Sequence, residues 1–179
     1  MFDTVLIAGL GLMGGSMAKT IKARTLSRVL GWNRTRATAE QALADGSIDA
    51  IATEALYKEA DLVIIGLYPQ ATVDWLLENM PKMKKGCVIV DMVGVKQFMV
   101  DHLEQAALDA GVHYVGGHPM AGREFSGLDF ALSTLFDGAS MILCRQRAAP
   151  SVCLNSWRRT SCRSASVRPC AVPRSSTIT

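Results

Sequence analysis

The sequence predicts an α/β fold over residues 1–144: a doubly wound, mostly parallel sheet with helices on both faces. Three observations carry that expectation. Short apolar runs alternate with longer amphipathic stretches, the pattern of repeated strand–helix–strand units. The runs are apolar throughout rather than alternately polar, as strands covered on both faces must be. A glycine-rich turn joins the first run to the first amphipathic stretch.

Residues 4–8 (TVLIA) read as the first strand, and the glycine turn opens a helix that ends near residue 23. Residues 28–32 give the second strand, and 36–44 a helix stopped by Gly46, since glycine takes the left-handed cap without steric cost. A short strand is expected at 50–52. The run 61–66 (DLVIIG) is the next strong strand. A helix over 71–79 follows Pro69. Residues 87–91 form strand five, the helix 95–110 closes at Gly111, and 112–115 and 139–143 supply the last strands.

The formal net charge of +3 over 179 residues hides a division. Seven of the 19 basic residues are arginines after Cys144, where no acid occurs, so residues 1–144 hold 12 bases against 16 acids. The body is mildly acidic, and 145–179 is a basic tail rich in Arg, Ser, Pro and Cys. The tail has no helical or strand period, and it offers too little apolar surface to offset the entropy of ordering. It is expected to be disordered or the product of a shifted reading frame, with a following domain lost. No apolar run reaches the ~18 residues of a membrane helix, and Asp3 stands where a secretory signal would be basic. A cytoplasmic protein without membrane or nucleic-acid partners is expected. The five cysteines match no zinc spacing, so no metal is expected.

The turn Gly9-Leu10-Gly11-Leu12-Met13-Gly14 is a G-x-G-x-x-G motif between a buried strand and a helix, the context that makes it a dinucleotide fingerprint. Gly9 permits the tight turn, Gly11 lets a pyrophosphate approach the backbone, and Gly14 lets helix and strand pack closely. The fold is then Rossmann-type. NAD-preferring sites put an acid at the end of strand two. Here Asn33-Arg34-Thr35 stands there. Asn33 carries no charge to repel a 2′-phosphate, Arg34 can bond one, and Thr35 can donate a hydroxyl. This points to NADP(H), with NAD as the lesser possibility. Arg34 as a solvated surface residue and Thr35 as a helix cap are the alternative reading. Leu67-Tyr68-Pro69, after strand four, reads as a loop beside the adenine and ribose.

The stretch from Val115 to Gly127 (VGGHPMAGREFSG) follows a strand's carboxyl end, where open α/β sheets place their chemistry. His118, between glycines and a proline, is expected in a loop that presents its ring rigidly. Imidazole, with an ordinary pKa near 6.5, can accept a hydroxyl proton while hydride leaves the same carbon. His102 falls on a solvated helix face and His113 at a strand start, and neither is assigned chemistry.

G-G-H-P-M-A-G-x-E-x-S-G, with G-L-G-L-M-G-G-S and D-x-x-x-V-K at Asp91–Lys96, resembles the prephenate/arogenate dehydrogenase family of tyrosine biosynthesis over residues 1 to about 144. The resemblance implies oxidative decarboxylation of prephenate or arogenate, with His118 bonded to the substrate's 4-hydroxyl and Arg123 and Glu124 bordering the substrate mouth. It also implies a homodimer in the full-length family and a C-terminal helical domain, which nothing after Cys144 resembles. The chain is therefore expected to be weakly active or inactive by itself, with an apolar surface where that domain would pack. Gly94, counted with the cofactor-binding residues, replaces the family's serine, and Lys96 reads as the start of a helix. A β-hydroxyacid dehydrogenase-like NADP enzyme and a non-catalytic nucleotide-binding fragment are the competing readings.

Overall fold

A computed structural model describes residues 2–144 and the backbone of 167–170. Strands β1 (Thr4–Ala8), β2 (Arg28–Trp32), β3 (Ala50–Ile51), β4 (Leu62–Ile65), β5 (Val88–Asp91), β6 (His113–Pro119), β7 (Met141–Cys144) and β8 (Val167–Cys170) form one sheet. Their order is β3-β2-β1-β4-β5-β6-β7-β8. The first six are mutually parallel, β7 runs antiparallel to β6, and β8 parallel to β7. Five α-helices connect them: α1 (Leu12–Arg24), α2 (Arg36–Ala44), α3 (Glu54–Tyr57), α4 (Pro69–Asn79) and α5 (Lys96–Ala110).

The unbroken apolar runs have a direct cause. Along β1, Val5 and Ile7 join the core cluster that holds Met17 and Ile21 of α1, while Leu6 and Ala8 join the cluster that holds Leu76 of α4 and Leu103 of α5. Successive side chains point to opposite faces of a strand, and here both faces are covered. Each fully buried Leu, Ile or Val stabilises the fold by roughly 1.5–3 kcal/mol relative to exposure. Trp75 packs tilted against Trp32 and edge-on against Tyr57, with ring centroids 5.4 and 5.6 Å apart. That contact ties α4 to β2 and α3.

The helix ends follow local chemistry. α1 stops at Thr25, whose backbone N–H and hydroxyl both bond the Ile21 carbonyl. Gly111 caps α5 in the left-handed conformation, φ +69°. Pro69 opens α4 at its first turn, where its missing N–H costs nothing.

The structure corrects the sequence at four places. β6 continues four residues past the predicted end at 115, so His118 stands in a strand and not in a loop. The reason is long-range: β7 pairs with Gly116–Pro119, opposing His118 to Ile142, and the last position suits a residue without an N–H. A one-turn helix, α3, lies where none was expected. β3 is two residues long. Within the basic tail, the backbone of Val167–Cys170 forms a strand on β7, although its sequence shows no period; the rest of the tail lies outside the described residues. Among the described residues no helix is long and apolar enough to cross a membrane, and no cluster of metal-ligating side chains occurs.

Three carboxylates fasten elements together. Asp49 accepts from Lys22 of α1 (2.5 Å) and the Val29 N–H (2.7 Å). Asp61 accepts from Lys84 (2.6 Å) and the Thr4 N–H (3.1 Å). Asp45 accepts from the Ser47 N–H (2.9 Å) and faces Lys19 (3.4 Å). Burial works to raise each carboxyl, but these hydrogen bonds and lysine charges outweigh it, holding all three below the ordinary carboxylate value. A depressed folded-state pKa means the stabilisation is complete above the unfolded value of ~3.9 and is lost as pH falls through the folded ones. Urea midpoints are therefore expected to hold from neutral pH down to about pH 5 and to drop below about pH 4. An equal midpoint at about pH 3 and pH 6 would show that these contacts do not stabilise the native state.

Candidate active site at the carboxyl edge of the sheet

Ala8, Ile65, Asp91 and Gly116 stand level across β1, β4, β5 and β6. They mark the carboxyl edge. From β1 the chain turns towards β2 and β3, and from β4 towards β5 and β6, so the β1–β4 boundary is the topological switch point where such sheets open a crevice.

The glycine turn sits on that boundary. Gly9 has φ +93°, and a Cβ on it would lie 2.7 Å from the Gly66 carbonyl oxygen. A Cβ on Gly14 would lie 1.8 Å from the Gly9 carbonyl oxygen. These two glycines shape the turn and do not line the cleft. Gly11 differs: a Cβ there would meet nothing within 4 Å, so its backbone is bare to an open cleft of about 360 Å³. Leu12 and Met13 share that wall, and the first turn of α1 contains no acid. Amide groups and the positive helix end therefore face the cleft without a competing anion.

Asn33 has a role the sequence did not reveal. Its side-chain oxygen accepts the Leu10 N–H (3.0 Å), and its amide nitrogen donates to the Thr35 carbonyl (3.1 Å). It ties the glycine turn to the end of β2. Arg34 is exposed and makes no ion pair among the described residues, whereas Arg36 pairs with Glu40. Thr35 is the N-cap residue of α2, but its hydroxyl makes no capping bond. Leu67 and Tyr68 line the cleft with Gly66, and Tyr68 is 84 % exposed; Pro69 lies behind them as the first residue of α4.

The opposite wall is formed by Gly122, Arg123, Phe125, Ser126 and Gly127, and the Arg123 guanidinium lies 5.1 Å from the centre of the Phe125 ring. Glu124 is exposed and is not part of the wall, and it makes no ion pair with Arg123. α1 fastens the next stretch of chain. Ser16 accepts the Leu132 N–H (3.0 Å), Thr20 donates to the Ser133 carbonyl (3.0 Å), and Lys19 reaches the Ala131 carbonyl (3.3 Å). The helix that opens at the glycine turn thus anchors the far wall. Met120, Phe125, Phe130 and Leu132 are exposed apolar side chains on this side.

His118 is half-buried two residues beyond the Asp91–Gly116 row. Its Nδ1 faces the carbonyl oxygen of Met92, a residue of the cleft wall, at 3.4 Å. Gly94 lies flush against the ring: a Cβ there would be 3.6 Å from Cε1. Gly94 borders the histidine and not the cleft.

A buried cluster under this histidine escaped the sequence. Asp91 is fully buried and accepts from the Tyr114 hydroxyl, from Lys96 Nζ and from the Val93 N–H (2.7 Å). Lys96 does begin α5, but its side chain turns inward over Gly116, where a Cβ would be 3.1 Å from Lys96 Cδ. Burial pushes the Lys96 ammonium below its usual range, opposed by the Asp91 charge. Burial, with the same charge, drives the Tyr114 phenol upward. An acid ending an apolar strand (VIVD) was the available signal, because a buried carboxylate needs partners.

Residues 17–161 match a family described as prephenate dehydrogenase, nucleotide-binding domain. The chain belongs to the prephenate dehydrogenase family. The match starts within α1 and runs past residue 144, where the motif resemblance stops. The prephenate dehydrogenase of Bacillus subtilis (strain 168) is 39% identical over 147 residues, 80% of this chain and 39% of that protein. That of Lactococcus lactis subsp. cremoris (strain MG1363) is 31% identical over 144 residues, 78% of this chain and 40% of its own length. The chain thus spans about two fifths of these relatives. The fold is similar to that of prephenate dehydrogenase from A. aeolicus, solved in complex with hydroxyphenyl propionate and NAD+. The TM-score is 0.85 at 25% identity, covering 96% of this chain and 60% of that one.

Proposed function

We propose that residues 1–144 hold a nicotinamide dinucleotide, with NADP(H) preferred, and that His118 is the proton acceptor of a dehydrogenase acting on prephenate or arogenate. The observation that carries this reading is the bare Gly11 backbone at the mouth of the cleft, with an acid-free helix start beside it. The residues present fit the group. Backbone N–H groups of Leu12 and Met13 would hold the diphosphate, Leu67 and Tyr68 would flank the nucleoside, and Arg34 and Thr35 would take the 2′-phosphate. Among the described residues the Arg34 guanidinium makes no ion pair and the Thr35 hydroxyl no capping bond.

When bound, the dinucleotide supplies a hydride acceptor. The protein's own part is to orient the substrate and move a proton. With Nδ1 turned to the Met92 carbonyl, the other ring nitrogen of His118 is the one left to accept the proton of the ring hydroxyl. Withdrawal of that proton favours aromatisation of the substrate with loss of its ring carboxylate as CO₂. Arg123, on the far wall, offers a guanidinium to a substrate carboxylate, with the Phe125 ring behind it.

Titration of the chain with NADP+ and NAD+ by calorimetry tests the cofactor half. NADP+ is expected to bind more tightly. Arg34→Ala is expected to weaken NADP+ roughly 10- to 100-fold, the worth of one or two bonds to a charged group, and to change NAD+ affinity by less than about 3-fold. Tighter NAD+ binding by the unaltered chain would refute the preference.

A further inference from the structure

The Asp91 cluster has no place in the reading above, and its position suggests one. A carbonyl oxygen can only accept a hydrogen bond, so an imidazole nitrogen facing it must carry the hydrogen. The second nitrogen is then the acceptor, and the tautomer of His118 depends on where the Met92 carbonyl stands. That carbonyl belongs to the turn between β5 and α5, which has few other fixings. The Met92 N–H bonds the Ile65 carbonyl at 3.0 Å, and the next N–H, of Val93, bonds Asp91 Oδ1 at 2.7 Å. Asp91 is itself held from two sides, by Tyr114 of β6 and by Lys96 at the start of α5. Both partners reach it because position 116, between Tyr114 and His118 on the same face of β6, is a glycine whose missing side chain leaves room for the lysine.

We propose that Asp91 is a positioning residue for His118: clamped by Tyr114 and Lys96, it fixes the 92–95 turn so that the Met92 carbonyl takes the Nδ1 hydrogen and leaves Nε2 as the proton acceptor. This rests on the assignment of His118 above, but it concerns the state of the ring and can be read without turnover. A buried acid that only joined β5 to β6 would stabilise the sheet and leave the imidazole tautomer alone.

The test is two-bond ¹⁵N–¹H correlation of the histidine rings in the ¹⁵N-labelled chain. It is recorded about two pH units above imidazole's ordinary value of ~6.5, with His102 and His113 as internal references. The unaltered chain is expected to show His118 as the Nδ1–H tautomer. Tyr114→Phe, which removes one fixing, and the charge-balanced double variant Asp91→Asn/Lys96→Met are each expected to give a mixture of tautomers at His118 while His102 and His113 stay unchanged. Amide spectra of the same samples report whether each variant is folded. An Nε2–H tautomer in the unaltered chain overturns the proposal, and this outcome needs no variant. So does an unchanged His118 signal in either variant that folds. NADP+ titration of the same unaltered sample separates the two readings: a chain that holds the Nδ1–H tautomer but binds no dinucleotide fails the cofactor assignment and leaves the Asp91 clamp standing.

Discussion

Gly14→Ala is expected to abolish dinucleotide binding and to cost the fold about 3 kcal/mol, the upper end of the usual range for overpacking. A Cβ at this position would sit 1.8 Å from the Gly9 carbonyl oxygen and 3.3 Å from Ile7 Cγ2. The first neighbour is backbone, so no rotamer change relieves the clash. Gly9 cannot retreat either, since its own α-carbon faces the Gly66 carbonyl and its N–H bonds the Trp32 carbonyl at 2.8 Å. The start of α1 must therefore move off the sheet, carrying away the amide groups that face the cleft. Gly11→Ala is the companion variant. Gly11 has φ −75° and ψ −159°, which alanine adopts freely, and open space around it. Its stability is expected to stay within about 1 kcal/mol of the parent, the usual cost of alanine at a helix N-cap. NADP+ affinity is expected to fall at least roughly 10-fold, because the methyl group occupies the approach to the backbone. Urea unfolding and calorimetric titration of both variants read the two effects separately. A Gly14→Ala chain that keeps its stability, or a Gly11→Ala chain that binds as before, would contradict the roles given to these glycines.

What the sequence made legible was whatever is decided locally. β1, β2 and α2 fall where the apolar runs and the turn residues put them, because a strand buried on both faces and a helix ended by glycine are written in a few consecutive residues. The glycine turn was legible for the same reason: it needs glycines at fixed offsets and a strand and helix on either side. His118 was misplaced as structure. Gly116, Gly117 and Pro119 each read as loop formers, and only pairing with β7, more than 20 residues away in sequence, makes the segment a strand. Asn33 was read for the charge it lacks, whereas its side chain spends its hydrogen bonds on Leu10 and Thr35. That contact exists because β1 and β2 are neighbours, a fact of topology. The same holds for Asp91, Lys96 and Tyr114, which lie on three elements and meet only after the sheet and α5 are in place.

That meeting sets the size of the second effect. Asp91→Ala is expected to destabilise the chain by about 3–5 kcal/mol, the cost of stranding one member of a buried ion pair. Three donors lose their acceptor at once: the Tyr114 hydroxyl, the Lys96 ammonium and the Val93 N–H. Lys96 is the expensive one, since its side chain is only 15 % exposed and a desolvated ammonium without a counter-charge is unfavourable. Adding Lys96→Met removes that stranded charge. The double variant is then expected to be more stable than Asp91→Ala alone, with a coupling of roughly 1–3 kcal/mol between the sites. The sign of the pH dependence follows from burial. Burial already pushes the folded-state value of Lys96 down, and Asp91 opposes it; without Asp91 the value falls further below the unfolded value of ~10.4. Between those two values the unfolded chain binds the extra proton, so stability rises with pH. The deficit of Asp91→Ala relative to the parent is therefore expected to shrink between about pH 7 and pH 9, whereas that of the double variant, which has no Lys96 to titrate, does not shrink. Urea unfolding of the four chains of the cycle at both pH values decides it. Additive single effects, or a deficit that grows with pH, would mean that Lys96 is not held as a buried cation by Asp91.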